Sequence, residues 1–287
     1  MKNSIRAKIL KPLFMTIIST LFLISSATVY AADPIRFGFM SSKPSKAIKT
    51  FTPLMKYLTS KGLTTSKIVV AKNIDDMTKK LNENKVDFVF QSAYGAILLM
   101  DKTGAVPILN REKGGVKAYN SAIFVNKNSP IKSMEELVGK VIAFEDPGST
   151  SSYRLPRGIF DNAGISLNES RKPAPGVVSY YFSKDDNNTI AQVKAGKRVD
   201  AGGIKRTEVS DNPDFRILKE SPYVPRYVVL LRKGFDGSQL EKILLGMKED
   251  PGAQDVLKKI ITPTGFSTFD VDPVEYLNGE VRKALRL

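Results

Sequence analysis

Ser149, Thr150, Ser151 and Ser152 are four consecutive hydroxyl residues directly after Asp146-Pro147-Gly148. The apolar run Val141 to Phe144 before them reads as a strand. Pro147-Gly148 reads as a tight turn, and the hydroxyl run as the first turn of a helix. The first N–H groups of a helix have no partner within it and carry a partial positive charge. Hydroxyls at that point add further donors. The combination suits a tetrahedral oxyanion held without a permanent cation. The same run would also serve as a plain helix start capped by Ser149.

Composition removes much competing chemistry. The 287 residues contain no His and no Cys. Ser-His-Asp triads, His-based zinc sites, disulfides and thiolate chemistry are therefore excluded. No Gly-x-x-x-x-Gly-Lys loop, Gly-x-Ser-x-Gly elbow or metal-ligand cluster is found. An enzyme reading is left with a Ser-Lys dyad, Ser149 or Ser151 with Lys205, and ranks below a binding role. No cofactor and no metal are expected.

The first residues read as an export signal. Lys2, Arg6, Lys8 and Lys11 form a basic start, Leu13 to Leu23 an apolar stretch, and Val29-Tyr30-Ala31 a small-x-small cleavage site. Cleavage after about Ala31 leaves a chain of about 256 residues in a periplasm, without the Cys that a lipoprotein needs. The formal charge of +15 falls to about +11 without the signal. No basic run is interleaved with aromatics, so nucleic acid is not expected as a partner. The positive field suits small anions, or is simply a basic surface.

Strands and helices alternate through the rest. Ile35 to Met40, Lys67 to Ala71, Val86 to Phe90 and Val106 to Asn110 read as strands. Between them, helices are predicted over 45–59, 75–84 and 94–102. The first should put Ile48, Phe51, Met55 and Leu58 on one face, and should kink or restart at Pro53 with Thr52 as cap. This βαβ order implies a parallel sheet covered on both faces. A second unit of similar plan starts near Tyr119. Its predicted strands are 121–125, 140–144, 177–182 and 199–204, with a capping-box helix from Ser133 to Gly139 and a helix over 189–195. The helix from Ser149 must bend or break at Pro156. Segments 216–218 and 227–232 read as strands leading back to the first unit. Helices over 239–248, 253–261 and 273–284 close the chain.

In open α/β sheets ligands sit beyond the carboxyl ends of the strands. That rule selects Met40-Ser41-Ser42, Gln91-Ser92, Asp146 to Ser152 and Lys205-Arg206. All four are polar where the strands feeding them are apolar.

Taken together, these residues resemble the periplasmic phosphate/phosphonate/phosphite substrate-binding proteins (PhnD-like) of ABC transporters. The residues that carry the resemblance are Arg36-Phe-Gly-Phe39, Thr52-Pro-Leu-Met-Lys-Tyr-Leu58, Lys85-Val-Asp-Phe88, the stretch Ser129 to Lys140, Phe144 to Ser151 and Gly196-Lys-Arg-Val-Asp-Ala201. It implies a type II-like periplasmic binding fold of two α/β lobes. Each lobe would be a mixed, mostly parallel sheet flanked by helices, with the ligand in the cleft between. Lobe 1 would be 32–119 plus 225–287, and lobe 2 would be 120–224. By resemblance Ser149, Thr150 and Ser151 hold the oxyanion.

The sequence departs from the family pattern elsewhere. Asn73-Ile-Asp-Asp76 replaces a Tyr-containing loop. Gln91-Ser92, with Tyr94 nearby, replaces an aromatic-Gly pair. Asn187-Asn188, after Asp185-Asp186, replaces a His-acid pair, and Lys205 and Arg206 stand where a neutral residue is usual. Candidate ligand contacts are therefore Ser41, Gln91, Ser92, Tyr94, Ser149, Thr150, Ser151, Ser152, Asn187, Asn188, Lys205 and Arg206. Asp146, Asp185, Asp186 and Asp200 are candidate acceptors for a P–OH proton. The expected partners are a small anion and an ABC permease, with the protein as a monomer. The alternative is a sensory module of the same fold that signals to a membrane kinase or cyclase.

Overall fold

The computed structural model describes residues 33–287. The expected export signal and cleavage site lie outside the described residues.

Residues 37–111 supply four strands of the first sheet. Their elements are β1 (Phe37–Met40), α1 (Pro44–Ser60), β2 (Val69–Ala71), α2 (Ile74–Asn82), β3 (Phe88–Gln91), α3 (Ala93–Thr103) and β4 (Val106–Arg111). A short strand β5 (Ala118–Tyr119) then leads to a second sheet made of β6 (Ser121–Asn126), β7 (Val141–Phe144), α4 (Leu155–Asn162), β8 (Leu167–Glu169), β9 (Val178–Phe182), α5 (Asp186–Ala195), β10 (Ala201–Lys205) and β11 (Phe215–Glu220). The chain returns through β12 (Val224–Pro225) to β13 (Val228–Leu231), α6 (Ser238–Gly246), α7 (Gln254–Lys259), β14 (Phe266–Ser267), α8 (Pro273–Tyr276) and α9 (Arg282–Leu285).

Two six-stranded sheets result, in the orders β14-β4-β13-β3-β1-β2 and β11-β6-β10-β7-β9-β8. Both are mixed. In the first, β1 pairs in parallel with β2 and β3, while the returning strand β13 lies antiparallel between β3 and β4. In the second, β7, β8, β9 and β10 are parallel neighbours, and β6 runs antiparallel between β10 and β11. Between the sheets, β5 and β12 form a two-stranded antiparallel crossing, with Tyr119 opposite Val224.

Each sheet is buried on both faces, so its strands read as continuous apolar runs rather than alternating ones. Phe88 and Phe90 of β3 face a core shared with α1, α6 and α7, while Val89 faces α2, α3 and the C-terminal helices. In β7, Ile142 and Phe144 face one core and Ala143 the other.

Three local expectations are corrected. Helix α1 runs unbroken through Pro53, and Thr52 caps nothing; its hydroxyl bonds the Ile48 carbonyl at 2.7 Å. The buried face of α1 is Ala47, Phe51, Leu54, Met55, Tyr57 and Leu58, whereas Ile48 is 43% exposed. The Ser133 segment forms only a 3-10 turn, Glu135–Leu137, without a side-chain cap, and Glu136 accepts the N–H of Lys132 at 2.8 Å rather than that of Ser133.

Candidate functional site

The helix expected at Ser149 begins there, and Pro156 shapes it. Ser149 is the N-cap, its hydroxyl accepting the Ser152 N–H at 3.1 Å. Pro156 has no N–H, so the Ser152 carbonyl, four residues earlier, accepts from Glu145 at 3.2 Å instead. The first turn widens to π spacing over Thr150–Arg154, with the Arg154 N–H on the Ser149 carbonyl at 3.0 Å, and then continues as α4. The N–H groups of Thr150 and Ser151 open this helix without an acceptor among the described residues.

A second helix starts beside it. Ser92, at the end of β3, caps α3 through its hydroxyl and the Gly95 N–H. The Tyr94 N–H, in the first turn of α3, donates to the Thr150 hydroxyl at 3.3 Å. The Arg154 guanidinium lies 4.3 Å from the centre of the Tyr94 ring. Two helix N-termini, one from each sheet, therefore converge on one cleft of about 370 Å³. Both positive dipole ends favour an anion there.

The crossing strands supply cations. Tyr119 ends β5, and Arg226 directly follows β12, its N–H on the Lys117 carbonyl at 2.8 Å. The Arg226 guanidinium sits 4.7 Å from the Tyr119 ring centre. Burial pushes the Tyr119 hydroxyl above its ordinary pKa, so it stays a neutral donor beside Arg226 and Thr150. Lys113 completes this side, 4.7 Å from the Tyr227 ring. Behind Tyr227, Arg111 is buried at 2% exposure, with Nε on the Thr262 hydroxyl at 2.9 Å and its guanidinium against Phe51, Phe90 and Tyr227. Burial lowers the pKa of Arg111 to about 10, which leaves it charged at neutral pH.

The opposite wall is acidic. Glu145, Asp146 and Asp186 line the cleft with Ser149, Thr150 and Ser151. Desolvation raises the pKa of Glu145, and the nearby Asp186 and Asp146 charges add to the rise, while hydrogen bonding to Ser149 opposes it. Asp186 is anchored by the Ser152 hydroxyl at 2.7 Å.

Of the twelve candidate contacts, Ser92, Ser149, Thr150 and Ser151 line the cleft. Ser152 is fully buried behind it, on Asp186. Gln91 is buried at the end of β3, and Tyr94 reaches the site through its N–H and its ring. Ser41 accepts the Lys43 N–H at 3.0 Å, at the tip of β1. Asn188 is folded back onto Ser183 and Asp185, and Asn187 is exposed beside it. Lys205 pairs with Glu208 at 2.5 Å and Arg206 with Glu220 at 2.7 Å, and neither lines the cleft. Asp185 caps α5 and Asp200 accepts the Val141 N–H, each in a backbone role. Sequence reasoning missed Lys113, Tyr119, Glu145, Arg226 and Tyr227. The signal for three of them was faint: an aromatic or a cation at each end of the segments joining the two units. Among the described residues no group of three or more acidic side chains is placed to hold a metal ion.

Comparison with known proteins bears on the family and the fold. A family model described as "ABC transporter, phosphonate, periplasmic substrate-binding protein" matches residues 37–273. The phosphonates-binding periplasmic protein of Escherichia coli (strain K12) is 22% identical over 244 residues, covering 79% of this chain and 70% of that protein. Among solved structures, XAC2383 from Xanthomonas citri bound to ATP is 28% identical, with a TM-score of 0.77, and covers 88% of this chain and 97% of its own. The same protein bound to chloride ion gives a TM-score of 0.78 at the same identity and coverage. PhnD1 from Prochlorococcus marinus (MIT 9301), in complex with methylphosphonate, shares the two-lobe fold at 18% identity, with a TM-score of 0.60 over 87% of this chain and 98% of its own. Since the family model spans nearly all of the described residues, the chain belongs to the family of ABC-transporter phosphonate periplasmic substrate-binding proteins.

Proposed function

We propose that this protein captures a small tetrahedral oxyanion of the phosphonate, phosphate or phosphite class in the cleft between its sheets and delivers it to an ABC permease. The observation that carries this reading is the meeting of two helix N-termini, joined by the Tyr94–Thr150 hydrogen bond, beside Arg226. Three ligand oxygens would take the Thr150 and Ser151 N–H groups and the hydroxyls of Ser149, Thr150 and Ser151. Arg226 would supply the charge-assisted bonds. Asp146 and Asp186 give acceptors for a P–OH proton, which sulfate lacks. We further propose lobe boundaries of 32–119 plus 225–287 and 120–224, and a monomer without nucleic acid. The short β5–β12 crossing is a natural hinge for closure of the cleft.

A second ligand size is favoured by one observation. XAC2383 is 28% identical and was solved bound to ATP. A terminal phosphoryl group would present the same three oxygens to the serines, with Lys113 and Tyr227 beyond it.

Calorimetric titration and thermal shift with methylphosphonate, phosphate, phosphite, sulfate and ATP test both. We expect phosphorus oxyanions to raise the melting temperature and sulfate not to. Failure of every phosphorus oxyanion would sink the reading. A response to ATP alone would select the larger ligand.

A further inference from the structure

The positive charge of this chain is concentrated away from the cleft. Residues 34–74 hold eight cations, Arg36 and seven lysines from Lys43 to Lys72, and no Asp or Glu. Arg36 is paired with Asp87, and Lys61 with Asp250. The remaining six lysines make no ion pair among the described residues. Residues 32–119 and 225–287 together carry 25 Lys and Arg against 16 Asp and Glu, while 120–224 carry 15 against 13.

Two of these lysines, Lys56 and Lys67, flank an apolar groove. The outer face of α1 and the segment leading into β2 enclose about 470 Å³, floored by Ile48, Met55 and Ile68, with Lys56 and Lys67 on its rim. Lys49 lies two turns before Lys56 on the same side of the helix. Ile48 stands 43% exposed at one end. Strand β2 is the edge of its sheet. The groove opens at the amino end of β2, whereas the oxyanion cleft lies at the carboxyl ends of the strands.

We propose that this face of α1 and β2 docks on an anionic phospholipid surface. Protein–protein interfaces are depleted in Lys and enriched in Arg and aromatics, and the unpaired cations here are all Lys. A sheet of lipid phosphates asks for charge rather than bidentate geometry, which long, flexible ammonium side chains provide. Exposed Ile48 beside half-buried Ile68, with lysines around them, matches a helix resting at headgroup level with its ammonium groups reaching outward. No carboxylate in the stretch repels such a surface. The docked face leaves the cleft open, so the receptor can load and unload near the membrane that holds its permease.

Cosedimentation of the protein purified from periplasm with lipid vesicles tests this. Vesicles of phosphatidylcholine alone are compared with vesicles containing about one third phosphatidylglycerol, at low and high salt. Lys49→Glu/Lys56→Glu/Lys67→Glu is set against Lys127→Glu/Lys132→Glu/Lys172→Glu, an equal charge change at exposed positions of the second lobe. Thermal melts and oxyanion titration verify that both variants fold. We expect binding to phosphatidylglycerol vesicles only, lost at high salt, weakened about tenfold or more in the groove variant and less than about threefold in the control. No vesicle binding, an equal loss in both variants, or equal binding to neutral vesicles would overturn the proposal. If vesicles fail while immobilised polyglutamate retains the wild type and releases the groove variant, the face recognises an acidic protein instead, and the lipid assignment falls.

Discussion

The backbone N–H of Tyr94 donates to the Thr150 hydroxyl at 3.3 Å, tying the first turn of α3 to the first turn of the serine helix. Two helices from different sheets meet with like dipole ends together, an arrangement that an anion between them would relieve. Thr150 is only 3% exposed, and its hydroxyl, having accepted one bond, keeps a proton to donate. We expect Thr150→Val, which keeps the shape, to weaken oxyanion binding about tenfold. Calorimetric titration with methylphosphonate and phosphate measures it. Unchanged affinity would remove Thr150 from the site.

Arg226 lines the cleft and is set by the Tyr119 ring at 4.7 Å. A charged donor facing an anion in a partly dry cleft contributes about 1.5–3 kcal/mol. Arg226→Ala should therefore cost about tenfold to a hundredfold in affinity. Arg226→Lys should recover part of it, since the charge returns without the fork. Equal, small effects of both changes on affinity would argue that the anion sits elsewhere.

Glu145 carries a raised pKa because burial disfavours its charged form. The folded state thus holds the proton more tightly than the unfolded chain, whose value is near the ordinary 4.5. Ionisation costs stability above the raised pKa, and that cost is relieved as pH falls through it. The anion should follow the same direction, binding more tightly as Glu145 becomes neutral. Comparing wild type with Glu145→Gln, using one ligand across the acidic range, cancels the ligand's own titration. The variant should bind more tightly at neutral pH and show a flatter profile; parallel profiles would contradict this.

Asp87 is fully buried at the start of β3, between Arg36 at 2.7 Å and Arg232 at 3.1 Å. It also accepts the Arg36 N–H at 2.9 Å. Removing Asp87, the buried member, leaves two partly exposed guanidinium groups and the Arg36 N–H without their acceptor, and costs about 1–3 kcal/mol. Asp87→Ala should lower the unfolding free energy by that amount and leave the affinity of the folded protein unchanged, because the cleft lies at the other end of β3. Denaturant titration and calorimetry separate the two effects.

Gly203 of β10 lets the serine helix pack closely. A Cβ there would stand 2.6 Å from Pro156 and 2.7 Å from Phe144. Gly203→Ala should destabilise by about 1–3 kcal/mol through overpacking. It should also weaken the oxyanion by displacing Pro156 and the turn before it. A drop in melting temperature with unchanged affinity would show that the helix start is held independently.

Much of the fold was legible because its causes are local. Runs such as Val86 to Phe90 and Val141 to Phe144 read as buried strands from apolar continuity alone, and the helices between them from their spacing. Ser149 to Ser152 were legible for the same reason: a turn, a cap and a helix start lie within eight residues. Where local signals compete with tertiary partners, the sequence was silent. Ser133 resembles a helix cap, yet Glu136 is drawn to the Lys132 N–H. Lys205 and Arg206 stand at a strand end that favours ligands, yet Glu208 and Glu220 neutralise them. Tyr119 and Arg226 lie 107 residues apart and are joined by two crossing strands of two residues each, too short to show any periodicity. The sequence by itself thus determined two α/β units and one anion-ready helix start, since periodicity and capping act over a few residues. Only the tertiary structure decided which cations face that helix, because long-range strand pairing brings them there.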